Sequence, residues 1–140
     1  MESKHILLVY QFFYPEQFRT NDIARELVKR GHRVTVLTGI PNYPQGKFYP
    51  GYGLFKKRTE TWEGIDLIRI PLIPRGHNKL MLILHYISFP ISGFFWNIFT
   101  RIEADTVLTV DTSPINQCKV AVRYAKKHKV PCTMYVQDLW

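Results

Sequence analysis

Residues 10–46 read YQFFYPEQFRTNDIARELVKRGHRVTVLTGIPNYPQG. Five patterns follow one another in this stretch: a strand end, a polar-aromatic loop, an amphipathic helix with a Gly-His turn, a buried strand, and a second aromatic loop. Ile23, Ala24, Leu27 and Val28 share one helical face, while Arg25, Glu26, Lys29 and Arg30 face water. Thr20 or Asn21 can cap the start of this helix, and Gly31 can take the left-handed position at its end. A helix of this length between the apolar runs Ile6–Tyr10 and Val34–Thr38 predicts a βαβ unit with a right-handed crossover. The two loops then lie at the ends of neighbouring parallel strands, where open α/β sheets bind ligands.

Outward from this unit, Thr59–Trp62 and Ile65–Ile70 read as a hairpin or edge pair around Glu63-Gly64. Asp105–Val110 is a further strand. Ser113-Pro114 is a helix start, with Ile115, Cys118, Ala121, Val122 and Ala125 as the inner face. Cys132–Val136 is the last strand. The expected fold class is α/β: a Rossmann-like parallel sheet with helices on both faces.

The 140 residues suffice for one domain with a core, and a hydrophobic content of 46% with 21% charged residues argues against disorder. The formal net charge of +8 favours anionic partners without choosing among them. Its densest run, Lys126, Lys127, His128 and Lys129, fits the negative end of a helix. A basic nucleic-acid-binding domain needs a clustered stripe with interleaved aromatics, which the sequence lacks, so nucleic acid is not an expected partner. Cys118 and Cys132 fit no metal or redox spacing and are expected as buried reduced thiols. The start of the chain has no signal-peptide pattern, which makes a cytoplasmic location the default.

The stretch 80–99, LMLILHYISFPISGFFWNIF, is apolar enough to compete for several roles. The leading expectation is one or two buried helices broken near Pro90 that cover the sheet. A helix lying in the lipid interface beside Arg75, Lys79 and Arg101 is the alternative. A membrane span is disfavoured by His85, Ser88, Pro90, Ser92, Gly93 and Asn97.

Candidate chemistry concentrates in three places. The loop after the first strand carries Tyr14, Glu16, Gln17, Phe18 and Arg19 ahead of a helix N-terminus, a setting that favours a phosphate or a polyhydroxylated ligand. It has neither the dinucleotide glycine pattern nor a Walker lysine. The loop 39–53, rich in glycine, proline and tyrosine, offers Asn42, Tyr43 and Tyr49 for stacking and hydrogen bonds, with a structural Ω-loop as the plain alternative. Asp111 and Asp138 follow two strands at the same edge and can orient a hydroxyl or act as bases, although such residues also serve as turn caps. The five histidines show no ligand spacing and no Asp-x-Asp pair occurs, so no metal is expected.

The run YPEQFRTNDIARELVKRGHRVTVLTGIPNYPQGKFYPGY resembles the N-terminal half of glycosyltransferase family 4, retaining sugar transferases of GT-B fold, in the group that assembles colanic acid and O-antigen. The terminal YVQDLW is similar to the point where that group continues into a Pro-Glu pair. The resemblance implies an acceptor-side Rossmann-like domain over residues 1–140 and a separate donor-binding domain that this chain lacks. It implies a nucleotide-diphosphate sugar as donor, no other cofactor, and a lipid-linked sugar acceptor at the inner-membrane surface. In its terms Tyr14, Glu16, Gln17, Phe18 and Arg19 form the donor-facing loop, Asn42, Tyr43 and Tyr49 lie on the acceptor side, and Asp111 and Asp138 are the catalytic candidates in the cleft floor. The chain departs from the family in having no glycines at Glu16–Phe18 and no histidine at Val110-Asp111-Thr112. A GT-B half cut from its partner is expected to be inert alone and to self-associate through the bared surface. A natural membrane-recruiting subunit of a split transferase is the alternative.

Overall fold

The computed structural model describes residues 3–16, 19–42, 46–54, 56–74, 76–111 and 118–136. The element order is β1 (His5–Val9), α1 (Arg19–Lys29), β2 (Arg33–Gly39), β3 (Thr59–Trp62), β4 (Ile65–Ile70), α2 (Lys79–Phe99), β5 (Thr106–Asp111), α3 (Cys118–His128) and β6 (Cys132–Val136). The strands form one sheet in the order β3-β4-β2-β1-β5-β6. Every neighbouring pair is parallel except β3 with β4, a hairpin whose turn places Glu63 and Gly64 at φ of 50° and 80°. The expected hairpin is present. Its second strand lies inside the sheet against β2, which leaves β3 alone at the edge.

Strand β1 is central. Leu7, Leu8 and Val9 are fully buried because both sheet faces are covered. Leu8, Val34, Val36, Ile65 and Leu67 pack with Ala24 of α1 on one face. Leu7, Val9, Leu37, Ile70 and Val107 pack with α2 and α3 on the other. The fold is thus the expected α/β Rossmann-like class, with helices on both faces. Gly31 ends α1 at φ 92°, as its place after the helix predicts. Thr20 and Asn21, expected as caps, lie in the first turn instead, since the helix runs from Arg19.

Helix α2 corrects the reading of 80–99. It is one continuous helix through Pro90, started by Asn78, whose side chain accepts the Met81 amide at 2.8 Å. Its buried residues are His85, Phe89, Gly93 and Asn97, a stripe at four-residue spacing that is half polar and has one glycine. The large apolar residues point outward: Leu80, Ile83, Ile91, Phe95, Ile98 and Phe99 are all more than half exposed. Gly93 explains the close seat, because a Cβ there would meet Val120 Cγ2 of α3 at 2.4 Å. Asn97 Nδ2 donates to the Val120 carbonyl at 3.2 Å and so satisfies a polar group inside that contact.

Two smaller corrections concern α3 and β6. Val120 and Tyr124 join Cys118, Ala121 and Ala125 on the buried face of α3, while Val122 faces outward; Ile115 and the Ser113-Pro114 start lie outside the described residues. Cys118 is buried as expected, but Cys132 is exposed, because β6 lies at the end of the sheet order and its residues 132–135 are open to solvent. The basic cluster Lys126, Lys127 and His128 does sit in the last turn of α3, and Lys127 Nζ donates to the Asn97 carbonyl at the foot of α2.

Candidate functional site

From β1 the chain moves outward to β2 and β4, then returns through α2 to β5 on the other side of β1. The strand order therefore reverses between β1 and β5, and the crevice at their C-terminal ends is the place where such sheets bind ligands. Three loops meet at this edge through their described residues: 10–16 after β1, 40–42 and 46–54 after β2, and 71–74 and 76–78 after β4.

A single carboxylate joins the first two. Glu16 is 1% exposed; its Oε2 accepts the Asn42 amide at 3.0 Å, and its Oε1 accepts the Phe13 amide at 3.3 Å. The Glu16 carbonyl in turn accepts Asn21 Nδ2 at 2.8 Å, which fixes the loop to α1. A carboxylate that accepts backbone amides satisfies donors that would otherwise be buried unpaired. Asn42 is wholly buried, and its side chain donates to the Ile40 carbonyl at 2.9 Å. The Tyr49 amide donates to the Pro41 carbonyl at 3.0 Å, and partial burial, aided by the nearby negative charge of Glu16, raises the Tyr49 phenol above its ordinary value.

The second and third loops meet through two glycines. Gly46 and Gly76 have φ of 78° and 62°, and the Gly76 amide donates to the Gly46 carbonyl at 3.0 Å. A Cβ on Gly46 would lie 2.7 Å from the Gly76 carbonyl oxygen, so both the backbone angle and the approach require glycine there.

Beneath the loops lie two polar clusters. In the first, Arg69 of β4 is 1% exposed, pairs with Glu60 at 2.7 Å, donates to the Tyr14 carbonyl at 2.7 Å and stands 4.7 Å over the Tyr52 ring. Tyr14, joined to Pro15 by a cis peptide, packs on Trp62 with ring centroids 4.4 Å apart. In the second, His85 of α2 reaches Gln11 Nε2 through Nε2 at 2.7 Å and the Ile73 carbonyl through Nδ1 at 2.8 Å. Donation from Nδ1 to the carbonyl leaves Nε2 to accept from Gln11, the neutral tautomer that fits both partners. Ser88 accepts the Ile73 amide at 3.0 Å and donates to the His85 carbonyl at 2.8 Å.

The structure thus brings Glu16, Asn42 and Tyr49 together, with Tyr14 beside them on the Arg69 cluster. Arg19 is exposed at the start of α1, and Asp111 closes β5 at the same edge of the sheet. Gln17, Phe18, Tyr43 and Asp138 lie outside the described residues. Glu16 and Asn42 are buried, and the Glu16 carboxylate and the Asn42 side chain bond to the backbone of the loops themselves. Arg69, Glu60 and His85 carry much of the edge and were not singled out from sequence. Signals for two of them existed: Arg69 interrupts an alternating apolar strand, and His85 begins the 85/89/93/97 stripe. Among the described residues no cluster of three His, Cys, Asp or Glu side chains could hold a metal.

No family model matches the chain. It is similar to the putative colanic acid biosynthesis glycosyl transferase WcaI of Escherichia coli (strain K12), with 32% identity over 96 residues, which is 64% of this chain and 23% of that protein. The chain therefore spans less than a quarter of this curated relative. Among solved structures, its fold is similar to that of CalG4, the calicheamicin glycosyltransferase, with TM-score 0.57 at 14% identity over all of this chain and 32% of that one. A C-terminal domain of the PF1911 hydrogenase from Pyrococcus furiosus shares the fold at TM-score 0.53 and 16% identity, over 94% of this chain and 90% of that one. At such identities the structural likenesses speak for the fold alone.

Proposed function

We propose that this chain is a GT-B glycosyltransferase domain, the acceptor-binding half of a bacterial retaining transferase; its similarity to the WcaI sequence and its fold support this reading. That enzyme would move a sugar from a nucleotide-diphosphate donor to a lipid-linked acceptor during surface polysaccharide assembly. The observation that carries the reading is the rim at the switch point, where Glu16 ties the loop after β1 to the loop after β2 through the Asn42 amide. A fixed rim of this kind suits the positioning of a substrate, because orientation is a large part of what a transferase supplies. The rim offers few reacting groups of its own, so the donor site and its diphosphate-stabilising charges would belong to a second domain. The domain would work at the cytoplasmic side of the inner membrane, which the outward apolar face of α2 supports.

The test is a transfer assay with nucleotide-diphosphate sugars and extracted lipid acceptors. The 140-residue chain alone should transfer nothing, while a chain that joins it to a donor-binding domain should label the lipid. Sugar transfer by the 140 residues alone would refute the reading. The exposed face of α2 also favours a second reading, a non-catalytic subunit that recruits a separate donor-binding chain to the membrane. Reconstitution of transfer by adding such a chain in trans would select it.

A further inference from the structure

One flank of α2 borders an apolar groove of about 530 Å³. Ile73 and its neighbours after β4 form one wall, Leu84, Ile87 and Ile91 of α2 form the other, and the loop after β2 contributes Phe48 and Leu54. The helical wall from Leu84 to Ser92 is about 12 Å long at 1.5 Å per residue. The polar side chains in the lining are Ser88 and Ser92. The Ser88 hydroxyl is already committed to the His85 carbonyl and the Ile73 amide, and the Ile73 carbonyl to His85. An incoming sugar, nucleotide or extended peptide would lose water from its polar groups here and gain almost no partner in return. A hydrocarbon chain loses nothing of that kind and buries apolar surface.

The surroundings supply the second argument. Ile87 and Ile91 line the groove and are also 41% and 55% exposed on the outer face of α2, so the groove opens onto that face. On the other flank of α2, Arg123 of α3 holds its guanidinium 4.8 Å over the Phe94 ring, next to Lys119. Arg58 donates to the Leu54 carbonyl at 3.0 Å on the groove side. An apolar strip edged by cations complements an anionic lipid surface.

We propose that this groove takes the hydrocarbon tail of the lipid-linked acceptor, drawn from the membrane on which α2 rests. The identity of the tail's owner rests on the proposed function; the binding of a chain does not. The acceptor headgroup would then stand beside the loop after β2, since Phe48 and Leu54 of that loop line the groove.

Two measurements on the 140-residue chain test this. Calorimetric titration with dodecyl phosphate below its micelle concentration should show saturable binding. Ser92→Phe, which fills the groove, and Leu54→Asp, which places a charge on its exposed loop side, should each weaken binding about tenfold or more. Phe95→Ser with Ile98→Ser, on the outer face, should leave it unchanged. Flotation with vesicles of phosphatidylcholine and phosphatidylglycerol should show the reverse order, with the outer-face variant lost and Ser92→Phe retained. Absence of dodecyl phosphate binding, or equal binding by both groove variants, overturns the proposal. So does a dimer that dissociates on Ser92→Phe without lipid, since the groove would then be an interface between copies. Because no sugar is transferred in either measurement, failure of the transfer assay with intact chain binding would sink the enzymatic reading alone.

Discussion

Glu16 and Asn42 stand 26 positions apart in the chain and meet in one buried hydrogen bond, carboxylate to backbone amide, at 3.0 Å. The bond ties the loop after β1 to the loop after β2, and it does so with a side chain that solvent does not reach. Substitution of Glu16 should therefore act on the shape of the edge before it acts on any ligand. Glu16→Ala should cost about 1–3 kcal/mol, the penalty for leaving buried amides unpaired. The check is a urea midpoint together with hydrogen exchange, in which the Asn42 amide should lose protection more than amides of β1.

The Gly93 contact should show in a double-mutant cycle. Gly93→Ala gains helix propensity, about 1 kcal/mol, but drives a methyl to within 2.4 Å of Val120 Cγ2. Overpacking of that kind costs about 1–3 kcal/mol, so the single variant should be less stable than the parent. Adding Val120→Ala should recover part of the loss, giving a coupling between the two positions that thermal melts of the four proteins can measure.

The Arg69 cluster makes a third test. Glu60→Gln leaves a guanidinium that is 1% exposed without its charged partner, and breaking a buried pair from one side costs about 3–5 kcal/mol. Glu60 itself is about one-fifth exposed, so water compensates some of that and the lower end, about 3 kcal/mol, is expected. Urea unfolding of Glu60→Gln against an exposed control such as Glu26→Gln would check the size.

Alkaline pH should loosen the fold through Tyr124. Its hydroxyl donates to the Ile102 carbonyl at 2.5 Å and accepts the Ala104 amide at 3.0 Å. Burial raises the phenol above its ordinary value near 10, against the opposing effect of the Ala104 amide. The unfolded chain thus ionises Tyr124 first. Its contribution is whole below pH 10 and disappears as the pH climbs through the higher folded value. Tyr124→Phe should lower stability by about 1–2 kcal/mol at neutral pH and flatten the loss above pH 10, as followed by thermal melts across that range.

How far the sequence foretold this molecule depends on the scale of the pattern. The βαβ unit was legible because Ile23, Ala24, Leu27 and Val28 repeat at helical spacing between two apolar strands, and Gly31 marks the end. The hairpin was legible from Glu63-Gly64. Helix α2 was not, because hydropathy reports how much apolar surface a segment has and not which side it faces. Its inner stripe, His85, Phe89, Gly93 and Asn97, looked like the interruptions in an apolar run. The exposure of Cys132 was equally hidden, since only the sheet order shows that β6 lies at an end. At the candidate site, loop composition pointed to the edge where the loops after β1 and β2 lie, but nothing in the spacing of Glu16 and Asn42 announced that they meet. Long-range pairing of this kind is written in topology rather than in local sequence.

The inverted packing of α2 has a practical consequence. The residues that hold this helix to the sheet and the residues that give its outer surface a character form two disjoint sets. The outer set can therefore be rewritten with serine or lysine while the domain keeps its shape, at a cost within about 0.5 kcal/mol per exposed position. That separability makes α2 a dial: the apolar character of its outer surface can be turned down residue by residue in a molecule whose architecture stays constant.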